Sequence, residues 1–215
     1  MGKNVDLVAI EKKAWTSIFQ DGLWEIMIGI TALSMAIGIT LEELGTSDVV
    51  RIAITYPMLF SGVPILYLGK RYMTMPRTGV AKFSERRKSR KMAMLGIMLA
   101  TLLATAGIWM AVSYFQTDTA WFGSAMVSIL ILTLFCSIAY FFDVNRFYLI
   151  AVLMGIGEPA LTLLRARTDL TYVGLIAWGI PALIILAIGF VVMSRFRKKY
   201  PHSLLENDEV PSNAA

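Results

Sequence analysis

Six charge-poor apolar runs dominate this chain, at residues 22–41, 52–69, 92–117, 119–142, 147–164 and 170–194. The first holds Glu25 and the fifth holds Glu158. A hydrocarbon core about 30 Å thick is crossed by ~20 helical residues at a rise of 1.5 Å each. Lipid offers no partner to backbone N–H and C=O groups, so each run must satisfy its own hydrogen bonds as a helix. The expected fold class is an all-α integral membrane protein with about six transmembrane helices in one transmembrane domain, 22–194. The 16% charged content agrees, since soluble domains carry ~25%.

Lysine and arginine placement sets the expected orientation. With the N-terminus inside, the inner segments hold Lys3, Lys12, Lys13, nine cations in the loop 70–91, Arg146, and Arg195, Arg197, Lys198 and Lys199. The outer loops keep Arg51, Arg165 and Arg167, so seventeen of twenty cations fall inside. The positive-inside rule then places both the N- and C-termini in the cytoplasm, with the chain multi-pass in the cytoplasmic (inner) membrane. Arg165 and Arg167 are the misfit. A re-entrant fifth segment would bring them inside but would move Arg195, Arg197, Lys198 and Lys199 out.

The flanks are polar. In residues 1–21, Leu7, Val8, Ile10, Ala14, Trp15, Ile18 and Phe19 share one half of a helical wheel, interrupted by Glu11. The reading is a short N-terminal amphipathic interfacial helix. No apolar signal-peptide core lies there, so the first span is expected to act as its own signal. Residues 195–215 read as a polar cytoplasmic tail.

Glu158 stands out for chemistry. It lies in Gly155-Ile156-Gly157-Glu158-Pro159, at hydrocarbon depth in the fifth run. A charge at that depth costs at least ~2.5 kcal/mol and must face protein or a wet cavity. Pro159 lacks an N–H, and Gly155 and Gly157 permit unwinding or close approach. A broken helix with free carbonyls beside a carboxylate suits an ion or proton site. The alternative is a kinked helix whose glutamate is protonated or paired with Arg165. Pro57, Pro64 and Gly179-Ile180-Pro181 are further weak points in spans two and six. Glu25 reads as interfacial, within reach of water or of Lys12 and Lys13.

The basic loop 70–91 is the second candidate. Its Arg77, Lys82, Arg86, Arg87, Lys88, Arg90 and Lys91 can attract anionic lipid headgroups at ~1 kcal/mol each, or hold a phosphate. The same cations serve equally as the determinant of topology. In span three, Gly96, Ala100 and Ala104 form a four-residue stripe for helix packing or a homodimer face.

The segment Pro76-Arg77-Thr78-Gly79-Val80-Ala81-Lys82-Phe83 resembles the Pro-Arg-x-Gly-x-x-Lys-Phe cytoplasmic loop of uncharacterised small prokaryotic multi-pass membrane proteins. The resemblance covers that loop and the hydropathy layout, and it implies no activity.

Other classes lack support. The +5 net charge follows from cytoplasmic loops and does not point to nucleic acid. With one cysteine, Cys136, and one histidine, His202, no disulfide framework, metal site or cofactor is expected. No His-Glu-x-x-His, Gly-x-Ser-x-Gly or P-loop pattern is present. Two expectations remain. One is a small transporter or channel-like protein using Glu158 for a cation or proton. The other is an accessory or scaffold protein whose basic loop binds anionic lipid or a partner. A water-accessible cavity at Glu158 favours the first, and a dry, filled bundle favours the second.

Overall fold

The computed structural model describes residues 19–75, 85–114 and 120–200. These residues are helical, without a strand among them. The helices are α1 (Leu23–Glu43), α2 (Asp48–Gly69), α3 (Glu85–Tyr114), α4 (Ala120–Phe142), α5 (Arg146–Gly155), α6 (Gly157–Arg167) and α7 (Ile180–Lys199). One-turn π segments extend α2 over Lys70–Thr74 and precede α7 over Leu175–Gly179.

Five helical stretches are long and apolar enough to cross a membrane: Leu23–Glu43, Asp48–Thr74, Trp121–Phe142, Arg146–Arg167 and Leu175–Lys199. α3 contains a shorter apolar stretch, Leu95–Ile108. Large apolar side chains point outward, among them Ile52, Phe60 and Val63 on α2 and Leu99 and Leu103 on α3. Water would penalise that surface and a bilayer would not, so length, composition and exposure together mark a multi-pass membrane protein.

α1 lies at the centre, packed on α2, on α7 and on the Leu175–Gly179 turn; α4 packs on α3, α5 and α6. The core runs along the bundle. Ile150, Ala32, Ala36, Ile185, Ala182 and Trp178 have no exposed surface. Small residues bring the helices together. Gly22, at φ 77°, opens α1 directly against α7: a Cβ there would lie 2.3 Å from the Gly189 carbonyl oxygen. Only a residue without a Cβ fits that left-handed, crowded position.

Two helix ends use left-handed caps. After α1, Thr46 N–H donates to the Leu41 carbonyl and Gly45 N–H to the Glu42 carbonyl, both at 3.0 Å, with Gly45 at φ 69°. After α4, Asp143 takes the equivalent place at φ 56°, and Val144 N–H donates to the Ala139 carbonyl at 3.0 Å. Both follow the Schellman pattern.

Two contacts bear on the direction of the helices. Arg165 Nη2 lies 3.3 Å from Glu43 Oε1, which brings the ends of α1 and α6 together. Arg146, at the start of α5, meets Glu25 at the start of α1. Arg165, the misfit of the charge count, therefore sits beside Glu43 at the far end of α1 from Glu25 and Arg146. Residues 1–18, the loop 76–84 with Arg77 and Lys82, and the tail 201–215 lie outside the described residues.

Candidate functional site

The densest polar cluster lies where the chain enters α1. Asp21 precedes the left-handed Gly22, and its Oδ1 accepts the Leu23 N–H at 3.2 Å. This local turn is a habit of Asp before a tight bend. Oδ2 accepts from Lys70 Nζ and, at 2.7 Å, from Thr74 Oγ1. Lys70 and Thr74 belong to the π turn that ends α2. Its wider coil keeps residues four apart on one side, so both donors reach the same oxygen.

One turn after Asp21, Glu25 is also wholly buried. Its Oε1 lies 3.1 Å from Arg146 Nη1, although neither carboxylate oxygen has an aligned hydrogen bond. Arg146 Nη2 donates to the Phe19 carbonyl at 2.6 Å. The Phe19 ring stacks on Trp24 and meets Phe142 and Phe147 edge-on, with centroids 4.8–6.0 Å apart. Among the described residues, two acids and two bases thus gather beside a set of aromatic rings. They tie the entry to α1 to the end of α2 and the start of α5.

Glu25, expected to reach water or Lys12 and Lys13, is instead buried in the protein against Arg146; Lys12 and Lys13 lie outside the described residues. Asp21, Lys70 and Arg146 carry no sequence motif and counted only as polar flank or loop charge. The available signal was spacing, because Asp21 and Glu25 are four apart and share a helical face. Which cations they meet is a matter of tertiary packing.

Glu158 lies in the first turn of α6, half-buried. Among the described residues no hydrogen bond or ion pair reaches its carboxylate. Arg165, considered as its partner, instead contacts Glu43, which also accepts the Gly174 N–H at 3.3 Å. The helix does not unwind at the glycines. Ile156 N–H donates to the Val152 carbonyl at 3.0 Å and Ala160 N–H to the Ile156 carbonyl at 2.9 Å. Pro159 has no N–H to offer the Gly155 carbonyl four residues earlier.

Side chains occupy the space the glycines leave. A Cβ on Gly155 would lie 2.9 Å from Leu132 Cγ, and one on Gly157 would lie 2.7 Å from the Trp178 ring. The two glycines serve as seats for Leu132 and Trp178, not as a loosened ion loop.

The stripe Gly96, Ala100 and Ala104 is exposed on α3, and a Cβ on Gly96 would meet nothing within 4 Å. Arg86, Arg87, Lys88, Arg90 and Lys91 fall on the α3 backbone, and their side chains lie outside the described set. Among the described residues, no group of three or more His, Cys, Asp or Glu side chains could hold a metal.

Comparison with known proteins returns no matching family model, no matching curated protein and no matching solved structure.

Proposed function

We propose that this chain is a non-catalytic accessory or scaffold protein of the membrane, with a basic cytoplasmic end that engages anionic headgroups. The observation that carries this reading is the filled bundle. From Ile150 through Ala32, Ala36 and Ile185 to Trp178, the core side chains have no exposed surface. Among the described residues, the ion-paired charges gather at the two ends, with Asp21, Glu25, Lys70 and Arg146 at one and Glu43, Arg51 and Arg165 at the other, while Glu158 lies between them. Close packing of these side chains favours a fixed shape over a water-filled passage.

The topology that accompanies this reading has six crossings, with α3 as the third, and both termini in the cytoplasm of a cell with an inner membrane. The seventeen-to-three division of cations supports it. Reporter fusions after residues 45, 80, 118, 144, 167 and 200 should alternate outside and inside, starting outside.

A second reading, transport of a cation or proton through Glu158, draws on one observation. That carboxylate lies within a candidate span, with no partner among the described residues, and such groups mark ion paths.

Cysteine accessibility separates the two. In a Cys136→Ser background, Ala36→Cys and Ala182→Cys should resist a membrane-impermeant thiol reagent from both sides, while Leu44→Cys should react. Labelling at position 36 or 182 would reveal a water path and sink the scaffold reading.

A further inference from the structure

Beside the Asp21–Glu25 cluster, the ends of α4, α5 and α7 enclose an open cavity of about 460 Å³. Small-molecule sites run from ~300 to 1,000 Å³. Among the described residues, three cations line it: Arg146 from the start of α5, and Arg195 and Lys199 from the last turns of α7. Val192, Arg195, Phe196 and Lys199 fall at helical spacing along one face of α7, so that face supplies two charges over two apolar side chains.

We propose that this cavity binds a phosphoryl group, supplied either by an anionic phospholipid headgroup or by free phosphate. The proposal deepens the reading of the basic end as a headgroup-binding surface and rests on it. The site differs from the loop 70–91 and uses none of its cations.

The chemistry favours a phosphoryl oxyanion. Arg146 is already oriented, because its two terminal nitrogens engage Glu25 and the Phe19 carbonyl. A guanidinium has five N–H donors in a rigid fork, so donors remain for a ligand in the cavity that it lines. Fixing the side chain in advance lowers the ordering cost of binding. Gln20 and Asn145 add amide groups to the wall.

Asp143 lines the same cavity and opposes an anion. Among the described residues, three cations against Asp143 leave two positive charges, and one remains when Glu25 behind Arg146 is counted. Val192 and Phe196 border the charged rim at the end of a span. A phospholipid could place its phosphate among the arginines and its chains along α7.

The test uses the purified full chain in detergent at fixed ionic strength. Its unfolding midpoint is titrated with phosphatidylglycerol, with phosphatidylcholine and with inorganic phosphate, since a ligand of the folded state raises that midpoint. A rise with phosphatidylglycerol alone supports the site with a lipid source. A rise with phosphate as well supports the site with a free anion as sufficient ligand.

In either case Arg195→Gln with Lys199→Gln should weaken apparent affinity roughly thirtyfold, as two contacts of ~1 kcal/mol each predict at ~1.4 kcal/mol per tenfold. In the loop variant, with Arg86→Gln, Arg87→Gln, Lys88→Gln and Arg90→Gln, the Arg195→Gln and Lys199→Gln changes should still cause their loss, because the cavity acts separately from whatever the loop adds. No response to either anion overturns the proposal. So does a phosphatidylglycerol response that survives in the α7 variant and disappears in the loop variant; that result would leave the headgroup-binding reading standing on the loop.

Discussion

Arg146 and Glu25 meet at 3.1 Å although 121 residues separate them in sequence, and the glutamate has no exposed surface. The pair joins the first turns of α1 and α5, and Arg146 also holds the Phe19 carbonyl. A buried charge that loses its partner typically costs ~3–5 kcal/mol, whereas replacing both partners with apolar groups is often neutral. Arg146→Met should therefore lower unfolding stability by about 3 kcal/mol. Arg146→Met with Glu25→Leu should recover much of that loss. Equal losses in the single and double variants would show that the pair is not coupled.

Gly22 and Gly45 separate two costs that a glycine can hide. Both have positive φ, but a Cβ on Gly45 meets nothing within 4 Å, whereas one on Gly22 strikes the α7 backbone. Gly45→Ala should cost ~1–2 kcal/mol, the left-handed penalty alone. Gly22→Ala should cost clearly more, because α1 must also move off α7. Gly96→Ala, in open space within α3, should lie within ~0.5 kcal/mol of the parent or stabilise it. Denaturant titration of all three in the same detergent measures the order.

Gly157 and Trp178 predict a rescue. Gly157→Ala forces a methyl into the indole and should cost about 1–3 kcal/mol, the usual range for overpacking. In a Trp178→Phe background the same change should cost markedly less, because the second ring of the indole is gone. Additive effects in a double-mutant cycle would remove the steric explanation.

The apolar runs made the membrane class and most helix positions legible in the sequence. Five of the six expected spans match helices long enough to cross, and the structure reads the fifth run as one helical path jointed at Ile156. Lipid leaves the backbone few alternatives, so hydropathy alone carries that far. The polar cluster was not legible. Asp21, Lys70 and Arg146 lie 49 and 76 residues apart along the chain, and only tertiary packing joins them. Glu158 drew notice because a charge in an apolar run is conspicuous. Glu25 drew little, because a carboxylate in the first turn of a span could equally reach water. The glycines beside Glu158 were ambiguous for a physical reason: a missing Cβ serves an unwound helix and a seated indole alike, and the partner ring lies about twenty residues away in sequence.

Ion flux in proteoliposomes tests the central claim most directly. Purified protein would be reconstituted in separate preparations with an H⁺-, Na⁺- or K⁺-sensitive dye inside, and the matching gradient imposed on each. The filled bundle predicts rates equal to those of protein-free liposomes for all three ions, with Glu158→Gln indistinguishable from the parent. Flux above protein-free liposomes that Glu158→Gln abolishes would contradict the account and establish the carboxylate as an ion site.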